Sequence, residues 1–232
     1  MKSIFATLLL FVTVTVTAQQ RYDLSFGEFH ELKVVDGINV DYEYNPELAG
    51  KVVFESTPEV ASAVIFEPSK AKLEIKLASR DTKYDNLPTI KVYSTYLTKV
   101  TNEGDSMVRV LKVAPGPKFM ARLVGNGRLV VRDVKSTEVD ASISTGHGTL
   151  VIYGHADIAK LSLIGGAAQI QADELESTEV KCSLRGTGHI SCYALKTLSV
   201  GGLGSGTVYY RGTPQVKKNA LTTVKVKSID EQ

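Results

Sequence analysis

The chain has 232 residues, and its 27 basic and 25 acidic side chains give a formal net charge of +2. A balance this even, without a basic cluster, argues against a nucleic-acid partner, because phosphate contacts dominate the affinity of such complexes. The absence of Trp and the modest aromatic content weaken the case for a sugar-stacking platform.

The first eighteen residues have the organisation of a secretory signal peptide. Lys2 supplies a positive start, an uncharged apolar stretch follows from residue 4 to residue 16, and Ala18 precedes the polar Gln19. The apolar run is shorter than the ~20 residues that cross a bilayer, so we expect cleavage rather than a retained anchor. No cysteine follows for lipidation, and no later segment is apolar enough to span a membrane. We therefore expect export to the periplasm or to the cell surface.

The N-terminal part of the mature chain alternates apolar and polar residues, which is typical of half-buried strands. Residues 33–44 place five side chains on one face, namely Val34, Ile38, Val40, Tyr42 and Tyr44. One helix of one to two turns is predicted near residue 58, with Thr57 as its N-cap and Pro58 in its first position. We expect Val60, Val64 and Ile65 to form its apolar stripe before Pro68 stops it.

From about residue 100 the chain repeats a glycine-containing turn between two apolar strands. The first glycines of successive turns lie 21, 21, 19, 21 and 18 residues apart, and a period near twenty indicates a solenoid. Glycine is expected at such a corner because the backbone takes a positive φ there or approaches the next rung closely. The predicted turn glycines are Gly37, Gly104, Gly125, Gly127, Gly146, Gly148, Gly165, Gly166, Gly186, Gly188, Gly204 and Gly206.

A rung of about 21 residues accommodates three strands of four or five residues with turns between them. We therefore predict an all-β fold, a parallel β-helix (β-solenoid) with a short N-terminal β region and one short helix. The missing Leu-x-x-Leu-x-Leu pattern argues against a leucine-rich horseshoe. The predicted organisation is a signal peptide at 1–18, an N-terminal β region at 19–99 and repeats at 100–228. A Lys-rich C-terminal segment suits the exposed last rung.

The two cysteines, Cys182 and Cys192, share the parity of the apolar residues around them. Free cysteine behaves as a small buried hydrophobe, which favours two buried thiols. Export leaves a disulfide possible. Metal binding is improbable without neighbouring histidine or carboxylate ligands.

Three motifs together resemble one known family. Residues 29–40 contain the triplet Gly37-Ile38-Asn39, the glycine turns follow, and residues 204–214 close the series. Over about residues 24–228 the chain is similar to the head GIN domain adhesins of the Bacteroidetes envelope. The resemblance implies an exported, right-handed β-helical protein with an adhesive role. The chain departs from the pattern at residues 102–106 and 219–223, so we expect irregular end rungs.

No residue pattern indicates a catalytic, metal or cofactor site. The glycine turns precede strands rather than helices and lack the Lys-Ser/Thr of a nucleotide loop. His147 and His189 lie at different offsets from their turns and roughly 10 Å apart, and with His155 they are interpreted as surface residues. The acids are scattered rather than paired, which argues against glycoside hydrolysis; they are Asp133, Asp140, Asp157, Asp173 and Glu174, with Asp81 and Asp85 in a solvated loop.

Six tyrosines are candidates for a binding face, although strand tyrosines more often pack inward. They are Tyr93, Tyr96, Tyr153, Tyr193, Tyr209 and Tyr210. We expect a non-catalytic envelope or cell-surface protein that binds a glycan or protein partner through a repetitive surface. The alternatives are a polysaccharide-processing β-helix enzyme, lyase or hydrolase, and a structural envelope assembly protein. The sequence leaves the ligand and the oligomeric state open.

Overall fold

The protein is described by a computed structural model that covers residues 19–79, 84 and 86–229. The predicted signal peptide and the loop acids Asp81 and Asp85 lie outside the described residues. No helix in the described ranges is long and apolar enough to cross a bilayer.

The described residues form seventeen strands, which belong to a single hydrogen-bonded sheet, and one helix. The N-terminal part comprises β1 (Gln20–Ser25), β2 (Glu31–Val35), β3 (Val40–Tyr44), β4 (Lys51–Ser56), α1 (Pro58–Ser62), β5 (Val64–Ser69), β6 (Lys72–Leu77), β7 (Ile90–Ser94), β8 (Lys99–Glu103) and β9 (Met107–Lys112). The rest comprises β10 (Gly116–Leu123), β11 (Arg128–Ile143), β12 (Thr149–Ile164), β13 (Gln169–Arg185), β14 (His189–Leu203), β15 (Thr207–Arg211), β16 (Gln215–Lys218) and β17 (Lys225–Ser228).

These strands wind into a β-solenoid of about six turns, which confirms the predicted fold class. The long strands β11 to β14 pair in parallel, each with the next one along the chain. In β11 the alternation of buried residues breaks after Val131 and again between Val134 and Val139. Two bends and the glycine turn therefore divide each rung into three faces. We call them face 1, face 2 and face 3 in chain order.

The core consists of columns of apolar side chains that continue from rung to rung. One column on face 1 contains Val40, Val108, Leu129, Leu150, Ile170, Ile190 and Val208, which are hydrogen-bonded register partners and are fully buried. Burying one such side chain contributes about 1.5–3 kcal/mol. In-register stacking of the rungs thus forms the backbone hydrogen bonds between strands and also packs the apolar side chains of the core.

The glycine turns stack on one another at the corner between face 3 and the next face 1. A Cβ at Gly188 would lie well inside van der Waals contact with the Ala168 carbonyl oxygen, and one at Gly166 would clash in the same way with the Gly146 carbonyl. A Cβ at Gly165 would meet nothing within 4 Å. The fourth turn therefore aligns on Gly166 and not on Gly165. The spacings become 21, 21, 20, 20 and 18, so the predicted 19 and 21 were wrong by one residue.

The N-terminal part obtains parallel pairing from strands that are distant in sequence. Strand β2 lies between β6 and β8, and β3 lies between β7 and β9, all in parallel. Antiparallel pairs of β1 with β4 and of β5 with β6 border this end. This arrangement closes the N-terminal end of the core with strands that do not follow the repeat.

The predicted helix exists, but its apolar stripe was partly wrong. Thr57 caps α1 by accepting a hydrogen bond from the Val60 amide at 3.4 Å, and Pro58 occupies the first turn. Val64 and Ile65 instead begin strand β5, which continues through Pro68. Among the described strands, β5 is paired with β6 alone. An edge strand tolerates a proline because one side of its backbone needs no partner.

Both cysteines are buried in the core and both thiols are free, as predicted. A hydrogen bond with Cys192, together with burial, raises the pKa of the Cys182 thiol. The Cys192 thiol also contacts the Tyr209 carbonyl oxygen at 3.5 Å. The two side chains thus behave as small apolar residues within the last rungs.

Candidate functional site

A groove of about 420 Å³ on the outside of face 1 combines polar and aromatic side chains. We call it the face-1 groove. It crosses β12, β13, β14 and β15, and its floor and walls include Tyr153, Gln171, Asp173, Glu174, His189, Ser191 and Tyr209. A concave site of this size is in the range that binds small molecules or part of a chain-like ligand.

The repeat itself places these side chains side by side. Val151, Gln171, Ser191 and Tyr209 are register partners on successive strands, at outward positions between buried residues. Parallel strands lie about 4.8 Å apart, so three intervals extend the groove over roughly 14 Å. Each strand therefore contributes one side chain to a straight row, and the row is apolar at Val151 and aromatic at Tyr209.

Asp173 is held at the centre of the groove by neighbouring groups. The Ser191 hydroxyl donates to Asp173 Oδ1 at 2.6 Å. Arg211 donates from Nη1 to the Asp173 carbonyl oxygen at 3.3 Å, and its guanidinium lies 5.5 Å from the centroid of the Tyr193 ring. These contacts orient the carboxylate without burying it, so it remains an acceptor for an incoming hydroxyl or amine.

Aromatic rings border the groove at both ends. The His189 and Tyr209 rings meet edge to face, with centroids 6.1 Å apart and an interplanar angle of 86°. At the other end the Arg132 guanidinium lies 5.8 Å from the centroid of the Tyr153 ring. Such contacts hold the rings in fixed orientations, which favours binding without much ordering of side chains.

The six predicted tyrosines do not form one face. Tyr153 and Tyr209 line the groove and Tyr193 adjoins it through Arg211. Tyr210 has inward parity and packs against the core.

The remaining two tyrosines lie in the N-terminal part. Tyr93 lines a separate depression with Asp23 and Glu55, and burial raises its pKa. Tyr96 packs on the His30 ring with centroids 5.9 Å apart. The structure therefore brings together half of the predicted set.

The histidines lie at separate places, as their sequence offsets predict. His147 donates its backbone amide to Asn126 Oδ1 within the stack of turns, whereas His189 is on strand β14. His155 Nδ1 is 3.5 Å from Glu176 Oε1 on face 2. Across the described ranges, no group of three or more His, Cys, Asp or Glu side chains is arranged to hold a metal ion.

Sequence reasoning missed the polar side of the groove. Gln171 and Ser191 received no attention, and Asp173 and Glu174 were counted among scattered acids. The row can be identified in the sequence by counting the residues from each turn glycine. Val151, Gln171, Ser191 and Tyr209 each lie five residues after Gly146, Gly166, Gly186 and Gly204 respectively. Aligning the fourth turn on Gly165 shifts its offset by one residue and conceals this regularity.

Comparison with known proteins identifies a matching family and several solved structures with the same fold. Residues 28–214 match the family described as putative auto-transporter adhesin, head GIN domain. No curated protein sequence matches the chain.

Solved structures share the fold over nearly the whole chain. A putative adhesin from Bacteroides fragilis is 19% identical, with a TM-score of 0.82 over 92% of this chain and 98% of its own. A putative lipid binding protein from Parabacteroides distasonis is 17% identical, with a TM-score of 0.72 over 91% and 96%. A putative adhesin from Parabacteroides merdae is 18% identical, with a TM-score of 0.71 over 91% and 96%. At these identities the likeness concerns the fold. The family match covers most of the sequence, and the chain belongs to the putative auto-transporter adhesin, head GIN domain, family.

Proposed function

We propose that this protein is an exported, non-catalytic adhesin of the bacterial envelope that binds a glycan through the face-1 groove. The observation that carries the proposal is that hydroxyl, amide and carboxylate groups line one groove together with the Tyr153 and Tyr209 rings. The family match supports the adhesive role, and the groove supplies a surface for it.

The chemistry of the groove suits a hydroxyl-rich ligand. Sugar hydroxyls both donate and accept hydrogen bonds. The Gln171 side chain does the same, and the Asp173 and Glu174 carboxylates accept. The Tyr153 and Tyr209 rings offer apolar faces with a polar edge, against which the C–H face of a sugar ring can pack. A length of roughly 14 Å favours an oligosaccharide over a single sugar.

The arrangement of carboxylates supports binding rather than cleavage. Glycoside hydrolysis needs two carboxyl groups on opposite sides of the scissile bond, about 5–9.5 Å apart. The carboxylates that line the groove, Asp173 and Glu174, both belong to strand β13, and among the described residues of its lining no other strand supplies a second carboxylate. Incubation with a panel of polysaccharides should therefore release no reducing ends and no unsaturated product; appearance of either would revive the enzyme alternative.

The direct test is a glycan array with the purified mature protein, followed by titration of the best ligand. We expect Tyr209→Ala and Gln171→Ala each to weaken the affinity at least about fivefold, since truncation of a central aromatic or polar contact costs more than about 1 kcal/mol. Tyr93→Ala, a half-buried tyrosine outside the groove, is the matched control and should bind as the wild type does.

Equal affinities for all three variants would refute the groove as the site. A loss confined to Tyr93→Ala would move the binding surface to the N-terminal part. Pull-downs that return only envelope proteins, with no glycan bound on the array, would favour the assembly role.

A further inference from the structure

Acidic side chains are absent from one end of the solenoid, which leaves its basic side chains in excess. Residues 19–79 contain six basic and eleven acidic side chains, and residues 116–179 contain six and eight. Residues 80–115, between these two stretches, contain six basic and four acidic side chains, and residues 180–229 contain eight and none. In chain order the net charges are therefore −5, +2, −2 and +8. The nearly neutral total conceals this segregation, and the expectation of no basic cluster was wrong. The eight residues are Lys181, Arg185, Lys196, Arg211, Lys217, Lys218, Lys225 and Lys227.

Among the described residues, nine cations outside this end form ion pairs with carboxylates, whereas the cations of this end do not. Lys118 and Lys160 both pair with Glu138, and Lys33 pairs with Glu103. None of the eight C-terminal cations forms an ion pair with a carboxylate in the described part of the chain. Asp230 and Glu231 lie outside the described residues. The basic end therefore presents charge that a partner could neutralise.

Protection of the last edges explains only part of this charge. Strands β16 and β17 pair on one side only, with β14 and β15 respectively, and lysines on an edge strand hinder pairing with another chain. This accounts for the four lysines of β16 and β17. Lys181, Arg185 and Lys196 belong to the interior strands β13 and β14, and edge protection does not require that acids be absent from fifty residues.

Large apolar side chains are exposed beside these cations. Leu203 is 60% exposed and Leu221 is 84% exposed. Both line a depression of about 650 Å³ on face 3, together with Lys181 and Arg185. Ile164, which is 49% exposed, is the register partner of Arg185, which in turn pairs with Leu203. Apolar and cationic side chains thus alternate on one surface of the last rungs.

We propose that the C-terminal end of the solenoid docks on the surface of an anionic lipid bilayer. The cations meet the headgroup phosphates, and Leu203 and Leu221 enter the boundary with the acyl chains. A soluble polyanion would use the charges alone and leave the leucines in water, which is why the observations favour a bilayer. The acidic N-terminal part points away from the bilayer, because the same surface potential repels it.

Flotation with lipid vesicles tests this proposal on the mature protein. We expect binding to vesicles that contain phosphatidylglycerol and none to pure phosphatidylcholine, with release at high salt. Lys181→Gln combined with Arg185→Gln spares the edge strands and should weaken binding at least about tenfold, since each cation near an anionic surface contributes roughly fivefold. Leu203→Ser combined with Leu221→Ser keeps every charge and should also weaken it about tenfold.

Matched controls are Lys70→Gln with Lys91→Gln and the exposed Leu111→Ser, all outside this end; these should bind as the wild type does. Size-exclusion chromatography confirms that each variant is folded and monodisperse. The proposal is overturned if the wild type does not bind the anionic vesicles, or binds both kinds equally. It is also overturned if the leucine variants bind normally while polyphosphate or duplex DNA competes, which would indicate a site for soluble polyanions. Tyr209→Ala should bind vesicles as the wild type does. Vesicle binding can therefore be tested separately from glycan binding, and a failure of the glycan proposal would not decide it.

Discussion

The rungs from β11 to β15 and the N-terminal part from β1 to β9 share parallel pairing but specify it differently. In the rungs, each strand pairs with the next one, about twenty residues on, and the glycine turn sets the register. In the N-terminal part, Leu32 of β2 pairs with Leu73 and with Val100, 41 and 68 residues away. In the rungs, strands of similar sequence lie next to each other because the sequence repeats. Strands that are distant in sequence need specific side-chain contacts to select their partners.

Specific polar contacts supply those individual contacts in the N-terminal part. The buried Tyr42 hydroxyl is 2.8 Å from the Ser94 hydroxyl, 52 residues away. Arg109 makes two hydrogen bonds of 2.6 Å to the Asp41 carboxylate across β3 and β9. In the rungs the inward positions are mostly apolar, and the buried Ser177 hydroxyl donates to the nearby Leu175 carbonyl rather than to a distant strand. The comparison indicates that backbone approach fixes the rungs and that side-chain pairing fixes the N-terminal part.

The largest loss of stability is expected from adding a side chain to a turn glycine that packs against the backbone of the preceding rung. Gly188→Ala places a methyl group against the Ala168 carbonyl oxygen and should lower the free energy of unfolding by about 3 kcal/mol, because the clash is with backbone. Gly37→Ala, where a Cβ meets nothing within 4 Å, should cost less than about 1 kcal/mol. Urea denaturation measures both. Equal costs would mean that the glycine turns are not close-packed.

A smaller effect is expected from loss of one polar pair in the N-terminal part. Tyr42→Phe leaves the buried Ser94 hydroxyl without this partner and should cost about 2 kcal/mol. Tyr44→Phe, on a half-exposed tyrosine of the same strand, is the control and should be nearly neutral. No loss in Tyr42→Phe would show that the pair does not stabilise this part.

The same tyrosine predicts an alkaline limit to stability. Burial raises the pKa of Tyr42 to about 12, above the value of about 10 in an unfolded chain. The folded state thus holds this proton more tightly, so its contribution is complete below pH 10 and is lost as the pH rises from 10 to 12. Urea midpoints measured across this range should fall more steeply in the wild type than in Tyr42→Phe. Parallel curves would contradict the prediction.

The smallest effect concerns a surface bridge in the rungs. Hydrogen bonds from Lys118 and Lys160 lower the pKa of Glu138 to about 2. Because the folded pKa is depressed, the contribution of this carboxylate is present above the unfolded pKa and is lost as the pH falls from about 4.5 to 2. NMR titration should give a midpoint near 2, and Lys118→Gln with Lys160→Gln should return it towards 4.5. A wild-type midpoint between 4 and 5 would contradict the bridge, and its exposure keeps its effect on stability small.

The sequence predicts the rungs far better than it predicts the N-terminal part. Glycines at a nearly fixed spacing identify the solenoid, and the alternation of apolar residues identifies the buried cysteines. The order Thr57-Pro58 identifies the start of the helix. No local pattern predicts that β2 and β3 lie between strands that follow them by forty to seventy residues, because such pairing depends on contacts that are remote in sequence. Val64 shows the same limit at short range. Its spacing from Val60 suits a helix, but pairing with Leu77 in β6 makes it a strand residue.

The candidate site was predictable only in part for a different reason. In a solenoid most outward positions are polar, so Gln171 and Asp173 do not differ by type from residues on the other faces. Only their offset from the turn distinguishes them, and that offset depends on aligning the fourth turn on Gly166. The basic end was visible in the sequence but was averaged out by the total charge.

Protease treatment of intact cells tests the central claim, an exported adhesin, most directly. We predict that an epitope-tagged copy of the protein is degraded by an added protease on intact cells, while a periplasmic marker in the same sample remains whole. A copy that resists the protease until the outer membrane is permeabilised would contradict an adhesive role at the cell surface.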